Sequence, residues 1–283
     1  MVSFRRMSTD PISVVTGATG ALGKASAIRL ARQGGIVVLV SRDRPRGETV
    51  ANEVRRQSGN DRVEVLLADL SVMESVRSAA QELLSRHDSV NVLLNAAAVF
   101  TRERRATSEG LELMFATNVL GPFLLTNLLL PALRRGTPSR ILTVSAPSTS
   151  PLDFADLMGE REFRPFHAFG ATKTADMLFA YELARRVEPA GVTSNVVHPG
   201  LMKSDLMREA SAPMRVIFRM MSRRPDRAAD AVVELVTSSA FDRATGRFYK
   251  GTKLSDSSPY SRDPENQRRL WAEASKLTGL PAA

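Results

Sequence analysis

The feature that most constrains this chain is a regular alternation along it. Short runs rich in Val, Ile and Leu recur at 12–16, 36–40, 63–67, 90–94, 140–144 and 192–197. Between them lie stretches with helical periodicity, at about 22–33, up to 55, and at 72–86, 108–133 and 168–186. Strands this apolar along their whole length are buried on both faces, and the intervening helices supply the covering layers. Right-handed crossovers then wind the chain both ways across a parallel sheet. The spacing predicts a doubly wound α/β fold of three layers. No internal repeat or low-complexity linker interrupts the sequence, so one domain is expected over 1–283, with 1–10 as a tail. A last helix is expected over 263–277, with Trp271 as a packing or dimer contact.

Composition removes several classes of function. Cysteine is absent, which excludes disulfides, thiolate metal sites and a Cys nucleophile, and suits a cytoplasmic location. Nothing in the sequence calls for a metal. The net charge of +9 admits an anionic partner. Arg pairs such as Arg55-Arg56, Arg134-Arg135 and Arg185-Arg186 fall at the ends of helical segments, where cations complement the helix dipole. Aromatics make up only 6% and do not interleave with a basic stripe, so nucleic acid is not expected as a partner. The first ten residues lack a long apolar core, so no secretory signal is expected there. The apolar stretch 119–133 is short for a bilayer and carries Gly121, Pro122, Asn127 and Pro131, which suits a buried helix.

Between the first strand and the first helix lies TGATGALGK, with Gly17, Gly20 and Gly23 spaced for a tight turn. Such a loop lets backbone approach a pyrophosphate, and the following helix offers free N–H groups to it. A turn made only for packing has the same spacing; the position after the first buried strand favours a dinucleotide site. Thr19, Leu22 and Lys24 belong to the same loop. The second strand ends in Ser41-Arg42 rather than in a carboxylate. A carboxylate there would bond a ribose 2′-hydroxyl, whereas a guanidinium suits a 2′-phosphate, so NADP(H) is the expected cofactor.

Taken together, these motifs resemble the short-chain dehydrogenase/reductase family, and within it the retinol-dehydrogenase-like branch. The likeness runs from about residue 12 to 249. It rests on the glycine loop, Asp69-Leu70 after the third strand, Asn95 after the fourth, Asn118 in TNVLGPF, Lys173 before a long helix, and His198-Pro199-Gly200 after the sixth strand. The resemblance implies a Rossmann-type sheet of seven strands, a nicotinamide cofactor, and a homodimer or homotetramer. It implies that Asp69 and Leu70 sit by the adenine and that Asn95, Ala96 and Ala97 line the adenosine. It further implies that Lys173 holds the nicotinamide ribose, and that Pro199, Gly200 and Ser204 face the nicotinamide.

The same resemblance shows where this chain departs. The family's proton-giving tyrosine stands four residues before the lysine, and here that position is Phe169. Phenylalanine has no ionisable proton. The family's serine maps to Ala146, with Ser145 and Ser148 beside it as substitutes, and the Asn-Asn-Ala-Gly turn has become Asn95-Ala96-Ala97-Ala98. Of the family's four catalytic positions, Asn118 and Lys173 remain.

Three functions are compatible with that pattern. The first is an enzyme that binds NADP(H) and a hydrophobic small molecule and performs a non-redox step: cyclisation, isomerisation or elimination. It would work by holding a reactive conformer, with Lys173 as acid or base and Asn118 orienting water or an oxyanion. The second is an NADP-dependent oxidoreductase whose proton comes from water, Lys173 or His167. The third is a binding protein without turnover. His198 is expected to be structural, as are Asp153 and Asp156. The segment 201–224 is the expected substrate lid, and its five methionines suit a bulky apolar ligand or ordinary packing. A membrane surface is the lesser use of that segment.

Overall fold

The computed structural model describes residues 10–187, 190–200, 202, 206, 209 and 225–281. Its sheet contains β1 (Ile12–Val15), β2 (Ile36–Ser41), β3 (Val63–Leu67), β4 (Val92–Asn95), β5 (Ser139–Val144), β6 (Val192–His198), β7 (Phe248–Lys250) and β8 (Lys253–Ser255). The order across it is β3-β2-β1-β4-β5-β6-β7-β8. All pairings are parallel except the last, where β8 turns back antiparallel on β7. The sheet is thus the expected seven-stranded one extended by a short antiparallel edge. That edge was not anticipated, because three residues carry too short a pattern to stand out.

Helices cover both faces: α1 (Ala21–Arg32), α2 (Arg44–Ser58), α3 (Met73–Arg86), α4 (Leu113–Arg135), α5 (Pro165–Val187), α6 (Pro225–Thr237), α7 (Pro259–Arg262) and α8 (Pro264–Thr278). The core divides accordingly. One cluster packs α3, α4, α5 and α8 on one face, and the other packs α1, α2 and α6 on the opposite face. Trp271 stacks edge-on with Phe123 at 4.9 Å between ring centroids, so it is a packing contact within the chain.

Sequence order reverses between β1 and β4, where one connection leaves toward β2 and the next toward β5. Loops at the carboxyl ends of the strands beside such a reversal diverge, and the crevice they leave is where ligands bind in open α/β sheets. Helix α4 is long and apolar enough to cross a membrane, but most of its apolar surface is packed inside the domain. Its Ala116–Leu120 portion is a π turn, closed by the Gly121 N–H on the Ala116 carbonyl. Asn118 lies in that turn, a kind of irregularity frequent at functional sites.

Candidate functional site

The first half of the site is made from backbone. Gly17 has φ +64°, and a Cβ there would lie 2.7 Å from the Ala96 carbonyl oxygen and the Ala97 nitrogen. A Cβ on Gly23 would lie 2.3 Å from the Gly17 oxygen. These positions are glycine because two loops and a helix start touch there through main chain. Thr16 joins them: its Oγ1 accepts from the Ala96 and Ala97 N–H groups at 3.0 and 3.2 Å. Gly20 caps α1 without any side-chain hydrogen bond, so the first-turn N–H groups stay free for a ligand. An uncapped helix start over a glycine cradle that side chains would fill fits a dinucleotide pyrophosphate.

Around this cradle the expected residues fall as follows. Thr19 and the buried Leu22 flank the loop. Ser41 is buried, and its hydroxyl donates to the Asp43 carbonyl at 2.8 Å. Arg42 is exposed and has no partner among the described residues, so its guanidinium is available. Asp69 accepts from the Ser71 N–H and hydroxyl at 2.9 and 2.7 Å, beside the buried Leu70. Asn95 donates to Thr126 at 3.1 Å while its Oδ1 is buried without a partner. Pro199 and Gly200 follow β6 and are half-buried. Ser204 lies outside the described residues. Lys24 departs from expectation: its ammonium pairs with Glu53 of α2 at 2.9 Å, drawn there by a carboxylate that sequence distance concealed.

The second half is made from side chains. Lys173 is almost fully buried on α5 and its Nζ donates to Asp176 Oδ2 at 2.8 Å. The Phe169 ring lies over that ammonium, 5.5 Å from ring centroid to Nζ. Ser145, just after β5, donates to the Lys173 carbonyl at 2.9 Å and lies close to the Asp176 carboxyl. Burial pushes the Asp176 carboxyl up from the ordinary range, against the opposing pull of Lys173 and Ser145. His198 lies behind this group with Nδ1 3.4 Å from the Ser145 carbonyl, and burial holds its imidazole below the ordinary value.

Asn118 also differs from expectation. Its Oδ1 accepts from the Val99 N–H at 2.8 Å, and its Nδ2 donates to the Val99 carbonyl at 3.0 Å and to Thr172 at 3.2 Å. Both amide hydrogens are therefore used, and the side chain has none to give to an oxyanion. It pins the 96–100 loop to the π turn. His167 is exposed on the first turn of α5, whereas Phe169 packs edge-on against Phe100 at 5.7 Å. Of the expected lid only Met202, Leu206 and Glu209 are described. Leu206 packs against the cluster of Phe100 and Met114, as Phe169 does, and Glu209 pairs with Arg105.

Asp176 is the residue that sequence reasoning missed. Its signal was a carboxylate three positions after Lys173 in a stretch otherwise buried from Thr172 to Ala184. A cavity of about 640 Å³ lies away from this centre, between α5 and the β7–β8 edge, lined by Tyr181, Arg247 and Asp256 among others. It holds none of Asn118, Phe169 or Lys173.

Residues 11–215 match the family model described as short chain dehydrogenase. Human retinol dehydrogenase 13 is 35% identical over 280 residues, covering 95% of this chain and 85% of that protein. Mouse polyprenol dehydrogenase is 35% identical over 280 residues, covering 95% and 84%. Among solved structures, 3-ketoacyl-(acyl-carrier-protein) reductase from Brucella melitensis, in complex with NADH, superposes with a TM-score of 0.67 at 25% identity, over 85% of this chain and 96% of that one. The chain belongs to the short-chain dehydrogenase family.

Proposed function

We propose that the protein is an NADP(H)-dependent oxidoreductase of hydrophobic alcohols or carbonyl compounds that works with Phe169 where the family has its tyrosine. The observation that carries this reading is the complete backbone cradle on a chain related over 95% of its length to retinol and polyprenol dehydrogenases. Retinol and polyprenol are long apolar alcohols, which suits the apolar cluster around Phe100 and Met114, with Phe169 and Leu206 packed on it. The residues alone put a non-redox step first; the relatives favour the redox reading instead.

A nicotinamide cofactor held there would supply or accept the hydride. The chain's own residues do the rest. The free N–H groups at the start of α1 would hold the pyrophosphate, and Arg42 would take the 2′-phosphate, whereas the expected Ser41 is buried with its hydroxyl donated to the Asp43 carbonyl. Asp69 meets the adenine, and Lys173 takes the ribose hydroxyls. Phe169 keeps water from one side of the reacting carbon but carries no proton, so the proton passes through water or the Lys173 ammonium. General acid catalysis by a positioned side chain is worth about 10²–10⁴-fold. Reductase turnover should therefore be slow, and Phe169→Tyr should raise it by about 10²-fold or more. The assay mixes the protein with NADPH and all-trans-retinal and follows the nicotinamide absorbance. Absence of NADPH consumption by both the native protein and the variant would sink the proposal.

The non-redox reading keeps one specific observation, the engagement of Lys173 with Asp176 beneath a ring that cannot donate. Product formed from an apolar substrate at constant nicotinamide absorbance would favour it. Cofactor affinity with no conversion of any substrate would leave a binding protein.

A further inference from the structure

We propose that Asp176 is a positioning residue which holds Lys173 in a withdrawn state, and that cofactor binding moves the ammonium off Asp176 and leaves a proton there in exchange. The inference rests on the cofactor reading above.

The geometry behind it is a closed cluster. Lys173 and Asp176 side chains are 5% and 4% exposed, with Nζ and Oδ2 at 2.8 Å. The two stand three residues apart on α5, so one helix turn fixes their pairing. Ser145 approaches the carboxyl from β5, and the Phe169 ring covers the ammonium from the preceding turn of α5. The charged and titratable groups facing the cluster are Lys173 on the same helix, His198 on β6 behind Ser145, and Lys250 on β7 beside His198. No second carboxylate bonds the Lys173 ammonium among the described residues.

The two partners therefore compensate each other. The ammonium is 5% exposed and lies under the Phe169 ring, so reaching a pair of ribose hydroxyls in the open crevice draws it away from Asp176. Asp176 would then be a buried carboxylate that has lost its one charged hydrogen-bond partner, with the Ser145 hydroxyl nearby already donated to the Lys173 carbonyl. A charge stranded in low dielectric takes up a proton rather than remain unpaired. The carboxyl already lies above its ordinary range with Lys173 in contact, so removing that contact can only raise it further. The balance is simple: the ammonium keeps its charge, the carboxylate gains one proton from solvent, and no bond other than O–H forms.

The test is isothermal titration with NADPH near neutral pH in buffers of different ionisation enthalpy, which counts protons taken up on binding. The native protein should take up a sizeable part of about one proton per NADPH beyond any contribution from the 2′-phosphate and histidines. Asp176→Asn should lose that part while still binding. Asp176→Leu should lose it too, because no carboxyl is left to take up the proton. Far-UV circular dichroism establishes that each variant is folded, and Asp176→Leu carries the test if Asp176→Asn is not. Binding with equal proton uptake in the native protein and the folded variants would overturn the inference alone. Failure of the native protein to bind NADPH would overturn the cofactor reading and the inference with it.

Discussion

The two halves of the site are built from different materials. The cradle around Gly17, Gly23 and Thr16 is main chain meeting main chain, with an added Cβ on Gly17 2.7 Å and on Gly23 2.3 Å from its nearest backbone neighbour. The other half is a set of side chains, namely Ser145, Phe169, Lys173 and Asp176, meeting through their functional groups rather than through the main chain alone. The difference teaches how a fold can keep its cofactor site while its chemistry drifts. A backbone cradle changes only at the cost of the fold. Side chains on one helix, such as Phe169 and Asp176, can change identity while the helix that carries them stays.

The comparison breaks most visibly at Gly17. Gly17→Ala puts a Cβ at φ +64° against the Ala96 carbonyl. The left-handed conformation costs about 1–2 kcal/mol and forced packing about 1–3 kcal/mol more, which is a large part of a typical domain's stability. The variant should unfold at markedly lower urea concentration and lose NADPH binding. The opposite half should tolerate change: Phe169→Tyr, which adds one hydroxyl at a half-buried ring, should shift the urea midpoint far less than Gly17→Ala while altering turnover. Equal destabilisation by the two would erase the contrast.

Arg42 tests the cradle's specificity rather than its existence. Arg42 is exposed and unpaired among the described residues, so Arg42→Ala should leave stability unchanged. A charge-assisted hydrogen bond is worth about 1.5–3 kcal/mol. NADPH affinity should fall by roughly 10–100-fold while NADH affinity stays the same, as read by fluorescence titration of both. An equal loss for both cofactors would remove the assignment of the 2′-phosphate to this guanidinium.

How much of this was legible beforehand follows the same division. The strands at 36–41, 63–67 and 192–198 and the glycine loop announce themselves, because both buried strands and backbone turns restrict residue type locally. That Phe169 carries no ionisable proton was equally plain. What could not be read was pairing across space. Lys24 gave no sign that it would turn to Glu53, 29 residues away. Asn118 gave no sign that both amide hydrogens would be spent on Val99 and Thr172. Asp176 is local to Lys173, yet its meaning depended on burial, which a short acidic side chain in a helix does not reveal. The β8 edge escaped for a different reason, since three residues carry no usable period.

The smallest effect sharpens the second half. Sequence proximity to Phe169 made His167 a candidate acid, but its side chain is exposed on the first turn of α5. Phe166 beside it is also exposed at 48%, while Phe169 turns inward onto Phe100. A helix turns about 100° per residue, so positions 167 and 169 lie on opposed faces. His167→Ala should therefore change stability by less than about 0.5 kcal/mol, as surface substitutions do. Its reductase rate with retinal should stay within about twofold of the native protein across the pH range where a histidine titrates. A drop on the scale of general acid catalysis, with loss of a pH limb near neutrality, would instead move the proton source out of the Lys173–Asp176 cluster and onto the surface of α5.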